Sequence, residues 1–277
     1  KPNLRLEFRD EVDEDRKLSF AGLPADGDWI LYAPSAFDPA LINNAFAYQL
    51  SRDIGRYAPR TRFVEVYMVV GNPNVPLSGR EPLDNKHYMG VYILEERIEL
   101  GSDRVDIQPV APGAAAPPEV TGGYLFKIDR GGGDEGFVFT ARQQVLVLDP
   151  PGSELTPAQQ SYLQDYFDRF ETALYAPQYK DPVKGYRPFI DVPSWVDPHL
   201  LNVFMFNVDA LRLSAYFQKP KDGPLRFGPV WDFDRALRST DGRDSSPKTW
   251  RSSSGDLGTD FFNYTWWGRL FAEDRKS

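Results

Sequence analysis

The chain holds 277 residues, 41% of them hydrophobic and 26% charged, a balance that supports a buried core and excludes a disordered or fibrous chain. With no cysteine and only two histidines, His87 and His199, it can form no disulfide, no thiol nucleophile and no multi-histidine metal centre. A net charge of −8 argues against nucleic acid as a partner, and the most apolar run, Leu200 to Phe206, falls far short of the ~20 residues a membrane span needs.

The chain opens Lys1-Pro2-Asn3 without an initiator Met. It reads as a processed or excised fragment, which leaves room for an export signal upstream. Leu4 to Phe8 alternates with period two and predicts a half-buried strand. The acidic run Asp10–Asp15 predicts a solvated turn. A second strand is expected at Trp29–Tyr32. A helix follows from about Pro39 to Ile54, its apolar stripe Ile42, Phe46, Leu50 and Ile54, with Gly55 placed for a left-handed C-cap. Strands are predicted at Phe63–Val70 and Tyr88–Ile98, separated by a Pro- and Gly-rich loop, Gly71–Arg80. Gln108–Gly123 carries Ala114-Ala115-Ala116-Pro117-Pro118 and predicts a mobile connection. It divides a single domain, 1–277, into a strand-rich lobe, 1–107, and a more helical lobe, 124–277.

In the second lobe, strands at Gly123–Asp129 and Val145–Leu148 flank Gly131-Gly132-Gly133, read as a hairpin tip rather than a phosphate loop. Thr156-Pro157-Ala158-Gln159 has the form of a capping box. It opens a helix whose apolar face is Leu163, Tyr166, Phe167, Phe170 and Leu174. A second helix, about Pro198–Val208, is apolar nearly all round and predicted buried. Short strands follow at Ala215–Lys219 and Leu225–Phe227, then a Ser-, Asp- and Gly-rich surface loop, Ser239–Thr259. Trp266-Trp267 with Phe261-Phe262 is expected to pack in the core, and Asn263-Tyr264-Thr265 has the form of a glycosylation acceptor.

Two acidic sites carry the chemistry. Asp209 and Asp232 each follow a markedly apolar run, Phe206-Asn207-Val208 and Pro229-Val230-Trp231, so each carboxylate emerges at the edge of a core element. Two short strands and a turn lie between them. Phosphoryl transfer requires such a pair: one carboxylate orients the attacking hydroxyl and another holds the metal that neutralises the phosphates. A cap or turn role for either Asp is the plainer alternative.

Several blocks in fixed order then point to a family. They are Asp28-Trp29-Ile30-Leu31-Tyr32-Ala33; Asn44-Ala45-Phe46-Ala47-Tyr48 through Phe63-Val64-Glu65; Gly90 through Ile98; Asp103-Arg104-Val105-Asp106-Ile107; Gly122-Gly123-Tyr124; Asn207-Val208-Asp209; Pro229 through Asp234; and Trp266 through Phe271. Over essentially its whole length the chain resembles the CotH kinases, a kinase-like family named for spore coat protein H.

The resemblance implies an α+β, two-lobed kinase-like fold. It implies transfer of the ATP γ-phosphoryl group to Ser or Thr of a protein substrate with Mg²⁺ or Mn²⁺, in an extracellular or spore-surface setting. Carried over, Asp209 is the catalytic-loop aspartate and Asp232 the metal-binding one, with Asp234 sharing the metal or holding the loop. Ser214 stands where the family usually has a metal-ligating Asn. Arg238-Ser239 replaces the usual Gly-Asn, and Asn43-Asn44 the usual Arg-Asn. Lys1 is the one lysine in register for the phosphates. Glu96, at a strand end where a kinase hinge sits, is a candidate nucleotide contact, against the plainer reading of an ion pair with Arg97 or Arg104. Two rivals follow: a catalytically inactive CotH-like binding or adhesion module, and a carboxylate-pair hydrolase using Glu95 or Glu96 with Asp209.

Overall fold

The computed structural model describes residues 1–34, 36–69, 83–246 and 265–271. Two antiparallel sheets organise an α+β fold. The first holds β1 (Leu4–Glu7), β2 (Asp28–Tyr32), β3 (Thr61–Tyr67) and β4 (Tyr88–Glu96) in the order β1-β2-β4-β3. A helix, α1 (Asn43–Asp53), links β2 to β3. The second sheet holds β5 (Tyr124–Ile128), β6 (Gly136–Phe139), β7 (Gln144–Asp149), β8 (Ala215–Lys219) and β9 (Arg226–Phe227) in the order β6-β7-β5-β8-β9. Helices α2 (Pro157–Tyr175), α3 (Val192–Phe204) and α4 (Thr265–Leu270) accompany it.

Alternation along the strands of the first sheet separates its two faces. Trp29, Leu31, Tyr92 and Leu94 form one apolar cluster, against which Leu4, Leu6 and Phe8 pack. Arg5, Ile30 and Glu95 fall in one row on the opposite face, since Arg5 pairs with Ile30 and Ile30 with Glu95. That face is turned toward the second sheet. The largest core lies on the second sheet, where Phe126, Phe167, Phe170, Trp195, Phe217 and both Trp266 and Trp267 are buried. Trp266 also donates its indole N–H to Glu171, at 2.7 Å.

Helix α2 follows its sequence pattern. Thr156 Oγ1 accepts from the Gln159 N–H while the Gln159 side chain accepts from the Thr156 N–H, a closed capping box. Leu163, Phe167, Phe170 and Leu174 are buried.

Helix α1 inverts its pattern. Ile42, Phe46 and Ile54 of the predicted apolar stripe are exposed, and Asn43, Asn44, Ala47, Tyr48 and Ser51 are buried. The helix begins at Asn43 rather than near Pro39 because Asp38 organises the preceding turn. Its carboxylate accepts from the N–H groups of Ala40, Leu41 and Asn43 at 2.7–3.0 Å. Gly55, at φ 82°, closes the helix as expected.

Other expectations are corrected. The 108–123 segment is packed rather than mobile: Val110, Ala114 and Val120 are buried, and Val110 N–H bonds Gly123 O at 3.2 Å. Gly131–Gly133 is not a hairpin tip, because β7 lies between β6 and β5, so the loop crosses the sheet end. Helix α3 runs from Val192 to Phe204, starting earlier than predicted with Pro198 inside it. It stops short of Val208 because Phe206 turns to φ 50°. Leu200 and Phe204 are exposed, so it is not apolar and buried all round. His199 is buried and stacks on Phe271. Gly71–Arg80, Pro247–Thr259, Phe261-Phe262 and Asn263-Tyr264 lie outside the described residues.

Candidate active site

Asp232 sits on left-handed backbone, and Asp209 lies in a loop whose neighbours Phe206, Leu211 and Ser214 are left-handed. After α3 the chain turns through Phe206 and presents Asp209. Leu211 (φ 74°) and Ser214 (φ 55°) shape the loop into β8, and Asp232 itself adopts φ 61° after β9. Left-handed conformations at non-glycine residues cost ~1–2 kcal/mol each, and their concentration in these two loops marks a site whose geometry is imposed by its surroundings.

Asp209, Ser214 and Asp232 line one pocket. Ser214 Oγ donates to Asp232 Oδ2 at 3.1 Å. Arg212 donates to Asp209 Oδ1, and Arg235 Nε lies 3.2 Å from Oδ2, so both oxygens of Asp209 are held by guanidinium groups. Arg235 continues to Asp241 at 3.1 Å, and Asp241 is gripped by Arg243. That pairing holds the Asp241 carboxyl at about 2.

The polar face of α1 explains its burial. Asn44 Oδ1 accepts from the Phe233 N–H at 2.7 Å, Tyr48 Oη from the Asp232 N–H at 3.2 Å, and the Asn43 amide donates to Ala236 O at 2.6 Å. From the loop after α3, Asn207 donates to Asp232 O at 3.1 Å. These bonds fix the backbone of residues 232–236. They also show what the Asn43-Asn44 pair does here: each residue satisfies a group of the acidic loop. Arg238 keeps φ 67°, the conformation that the usual glycine would supply, so its replacement leaves the turn in place at a cost in strain.

Arg212 and Arg235 are spent on Asp209, and the carboxyl groups behind it outnumber the cations that reach them. Burial, then Asp129 and Asp209, push Asp232 up despite the Ser214 hydrogen bond. Burial and Asp232 push Asp234 up to about 7. Glu95 is fully buried on the facing strand β4 and pushed up to about 8, mainly by burial, with Asp232 adding to it. Its Oε1 accepts from Asn44 at 3.4 Å, and its Oε2 is buried with no hydrogen-bond partner. Tyr32, on the same sheet face, is raised by burial and then by Asp234 and Asp232. A divalent cation would relieve this stack of carboxyl groups, and oxygen donors are what Mg²⁺ and Mn²⁺ take. The sequence offered Glu95 only as a hydrolase carboxylate interchangeable with Glu96, and it did not single out Asp129 or Tyr32. The signal available for Glu95 was strand alternation, which sends it to the face opposite Glu96.

Glu96 lies fully buried away from that cluster. It binds Arg60 Nε at 2.7 Å, the Arg60 N–H at 2.8 Å, and Arg104 at 3.1 Å. Arg97, the other expected partner, pairs with Asp28 at 2.9 Å. Lys1 rests on the far end of β4: its Nζ reaches Val91 O at 3.4 Å and lies 5.5 Å from the Tyr92 ring centroid. Four residues of strand, about 13 Å, separate Val91 from Glu95. The structure therefore brings Asp209, Ser214, Asp232 and Asp234 together, and leaves Lys1 and Glu96 outside that group. A separate acidic group, Asp26, Asp28 and Glu99, has oxygens within 4.8 Å of one another, but Arg104 and Arg97 already neutralise Asp26 and Asp28.

Beside the cluster a cleft of about 710 Å³ opens between the sheets, lined in part by Arg5, Ile98, Lys127, Asp129, Tyr216 and Trp231. The sequence model of one family, described as CotH kinase protein, matches residues 1–275. The chain belongs to the CotH kinase family. No curated protein matches it. Membership agrees with the two-sheet, two-lobed α+β arrangement and makes this a kinase-type protein, for which ATP and a divalent metal are the general expectation. Among the described residues, no helix is long and apolar enough to cross a membrane.

Proposed function

We propose that this chain is a protein Ser/Thr kinase of CotH type. The observation that carries the reading is the convergence of Asp209, Ser214 and Asp232 at one pocket, with Asp234 against Asp232 and an excess of buried carboxyl groups around them. Asp232 and Asp234 are the residues that would hold Mg²⁺ or Mn²⁺, supported by Ser214 on Asp232. The metal, when bound, supplies positive charge against the phosphates of ATP. Asp209 accepts a hydrogen bond from the substrate hydroxyl and so orients it, while Arg212 and Arg235 fix the carboxylate. The bonds from Asn44, Tyr48 and Asn207 hold the backbone of the acidic loop in place before substrate arrives. Catalysis on this plan rests on positioning and charge rather than covalent chemistry.

The substrate in this reading is a protein bearing Ser or Thr, and the setting is outside the cell or on a spore surface. The test is autophosphorylation with labelled ATP and Mg²⁺ or Mn²⁺. Asp209→Ala and Asp232→Ala should each lower incorporation by about a hundredfold or more. Equal incorporation in all three chains would remove both roles.

One observation favours the inactive binding module. Both oxygens of Asp209 are already engaged by arginine, and Ser214 is a weaker metal ligand than Asn. In that case ATP with metal would raise the melting temperature while no phosphate is incorporated.

A further inference from the structure

The cleft beside the acidic cluster must supply positive charge if a nucleotide enters it, and Lys1 does not reach it. Four cations line it: Arg5, Arg97, Lys127 and Arg130. Two are neutralised in place, Arg97 by Asp28 at 2.9 Å and Lys127 by Glu135 at 3.2 Å. Among the described residues, Arg5 and Arg130 form no ion pair. Arg130 is carried on the exposed loop that leads into Gly131–Gly133, whereas Arg5 stands on a paired strand.

Register decides where Arg5 points. Its neighbours Leu4 and Leu6 pack into the apolar cluster on one side of the sheet, so Arg5 projects from the other. There it stands in a row with Ile30 and Glu95. Tyr32, two residues along β2 from Ile30 and so about 7 Å away, feels the charges of Asp232 and Asp234. The charge of Arg5 reaches the Tyr216 hydroxyl, which also feels Asp129 and Asp232. A guanidinium on a rigid strand, unpaired and beside a carboxyl cluster suited to a metal, matches a di- or triphosphate bridged to that metal. A planar fork of donors binds phosphate oxygens two at a time.

We propose that Arg5 is the phosphate-binding cation of the nucleotide site, in the role that the sequence offered to Lys1. This rests on the nucleotide reading above and adds the residue that receives the phosphates. The experiment measures binding, by calorimetry and by thermal shift with Mn²⁺ present, of ATP and of adenosine to the native chain and to Arg5→Ala, Arg5→Lys, Lys1→Ala and Arg130→Ala. Arg5→Ala should weaken ATP roughly ten- to hundredfold, leave any adenosine response and the ligand-free melting temperature unchanged, and be partly rescued by Arg5→Lys. Lys1→Ala should bind as the native chain does. Native-like ATP affinity in Arg5→Ala, or a loss confined to Lys1→Ala or Arg130→Ala, overturns this assignment alone. If the native chain binds no nucleotide, the nucleotide reading falls and takes Arg5 with it.

Discussion

Helices α1 and α2 obey opposite rules. In α2 the apolar face predicted from spacing is the buried face, and Phe167 and Phe170 meet Trp266 in ring contacts. In α1 Ile42, Phe46 and Ile54 of the apolar stripe face out and only Leu50 packs inward, while the fully buried side is two asparagines, an alanine, a tyrosine and a serine. The difference is what each helix packs against. Helix α2 covers an apolar sheet, where area removed from water decides orientation. Helix α1 covers the backbone of the acidic loop, whose N–H and C=O groups must be satisfied once buried. A helix that breaks its own hydrophobic pattern is thus a pointer to a site, because local rules are overridden where function needs it.

Substitutions on the two helices should separate these roles. The largest effect is expected in α2. Phe167→Ala removes a fully buried ring and should cost about 3–5 kcal/mol in denaturant unfolding, with nucleotide and metal responses kept in whatever protein remains folded. A cost under 1 kcal/mol would mean that the core is not built as described.

Next comes the pH dependence at the α1 interface. Glu95, bonded to Asn44, is raised from its ordinary value of 4.5 to about 8. A raised carboxyl binds its proton more tightly in the folded state. Its stabilising contribution is therefore full below pH ~4.5 and is lost as pH rises through ~8. Asp234, raised to about 7, acts with the same sign. With chelator present, stability should fall by about 2–4 kcal/mol between pH 5 and 9. Glu95→Gln should flatten much of that slope, and Mn²⁺ should restore stability to the native chain at pH 9. An identical slope in Glu95→Gln would exclude this group as its source.

Asn44→Ala on the buried side of α1 should cost about 1–3 kcal/mol, because it strands the Phe233 N–H. It should also weaken the metal-dependent melting shift, which Phe167→Ala does not touch directly. Phe46→Ser, on the exposed stripe of the same helix, should change stability by no more than about 0.5 kcal/mol. If Phe46→Ser proves as damaging as Asn44→Ala, the inverted orientation of α1 is wrong.

Much of the fold was legible before any coordinates. The strand positions, the Thr156 capping box, the Gly55 cap and the Trp266-Trp267 core all follow from local patterns. So did the order of the two acidic loops, since an apolar run ending in Asp can be read directly. The cleft was less legible. Gly131–Gly133 read as a hairpin tip because nothing in the sequence says that β7 pairs between its neighbours. Glu95 and Glu96 are adjacent and chemically alike. One meets Arg60 and Arg104 and the other meets the acidic loop, a division set by which side of β4 each occupies.

The sequence alone determined that this chain is a CotH-type α+β protein with two acidic loops, because apolar periodicity, caps and motif order are local and additive along the chain. Only the tertiary structure decided which carboxyl groups share a pocket, that Arg5 rather than Lys1 faces the cleft, and that α1 buries its polar side. Those outcomes depend on strand register and on satisfying buried backbone groups from distant segments, and neither is written in any short stretch of sequence.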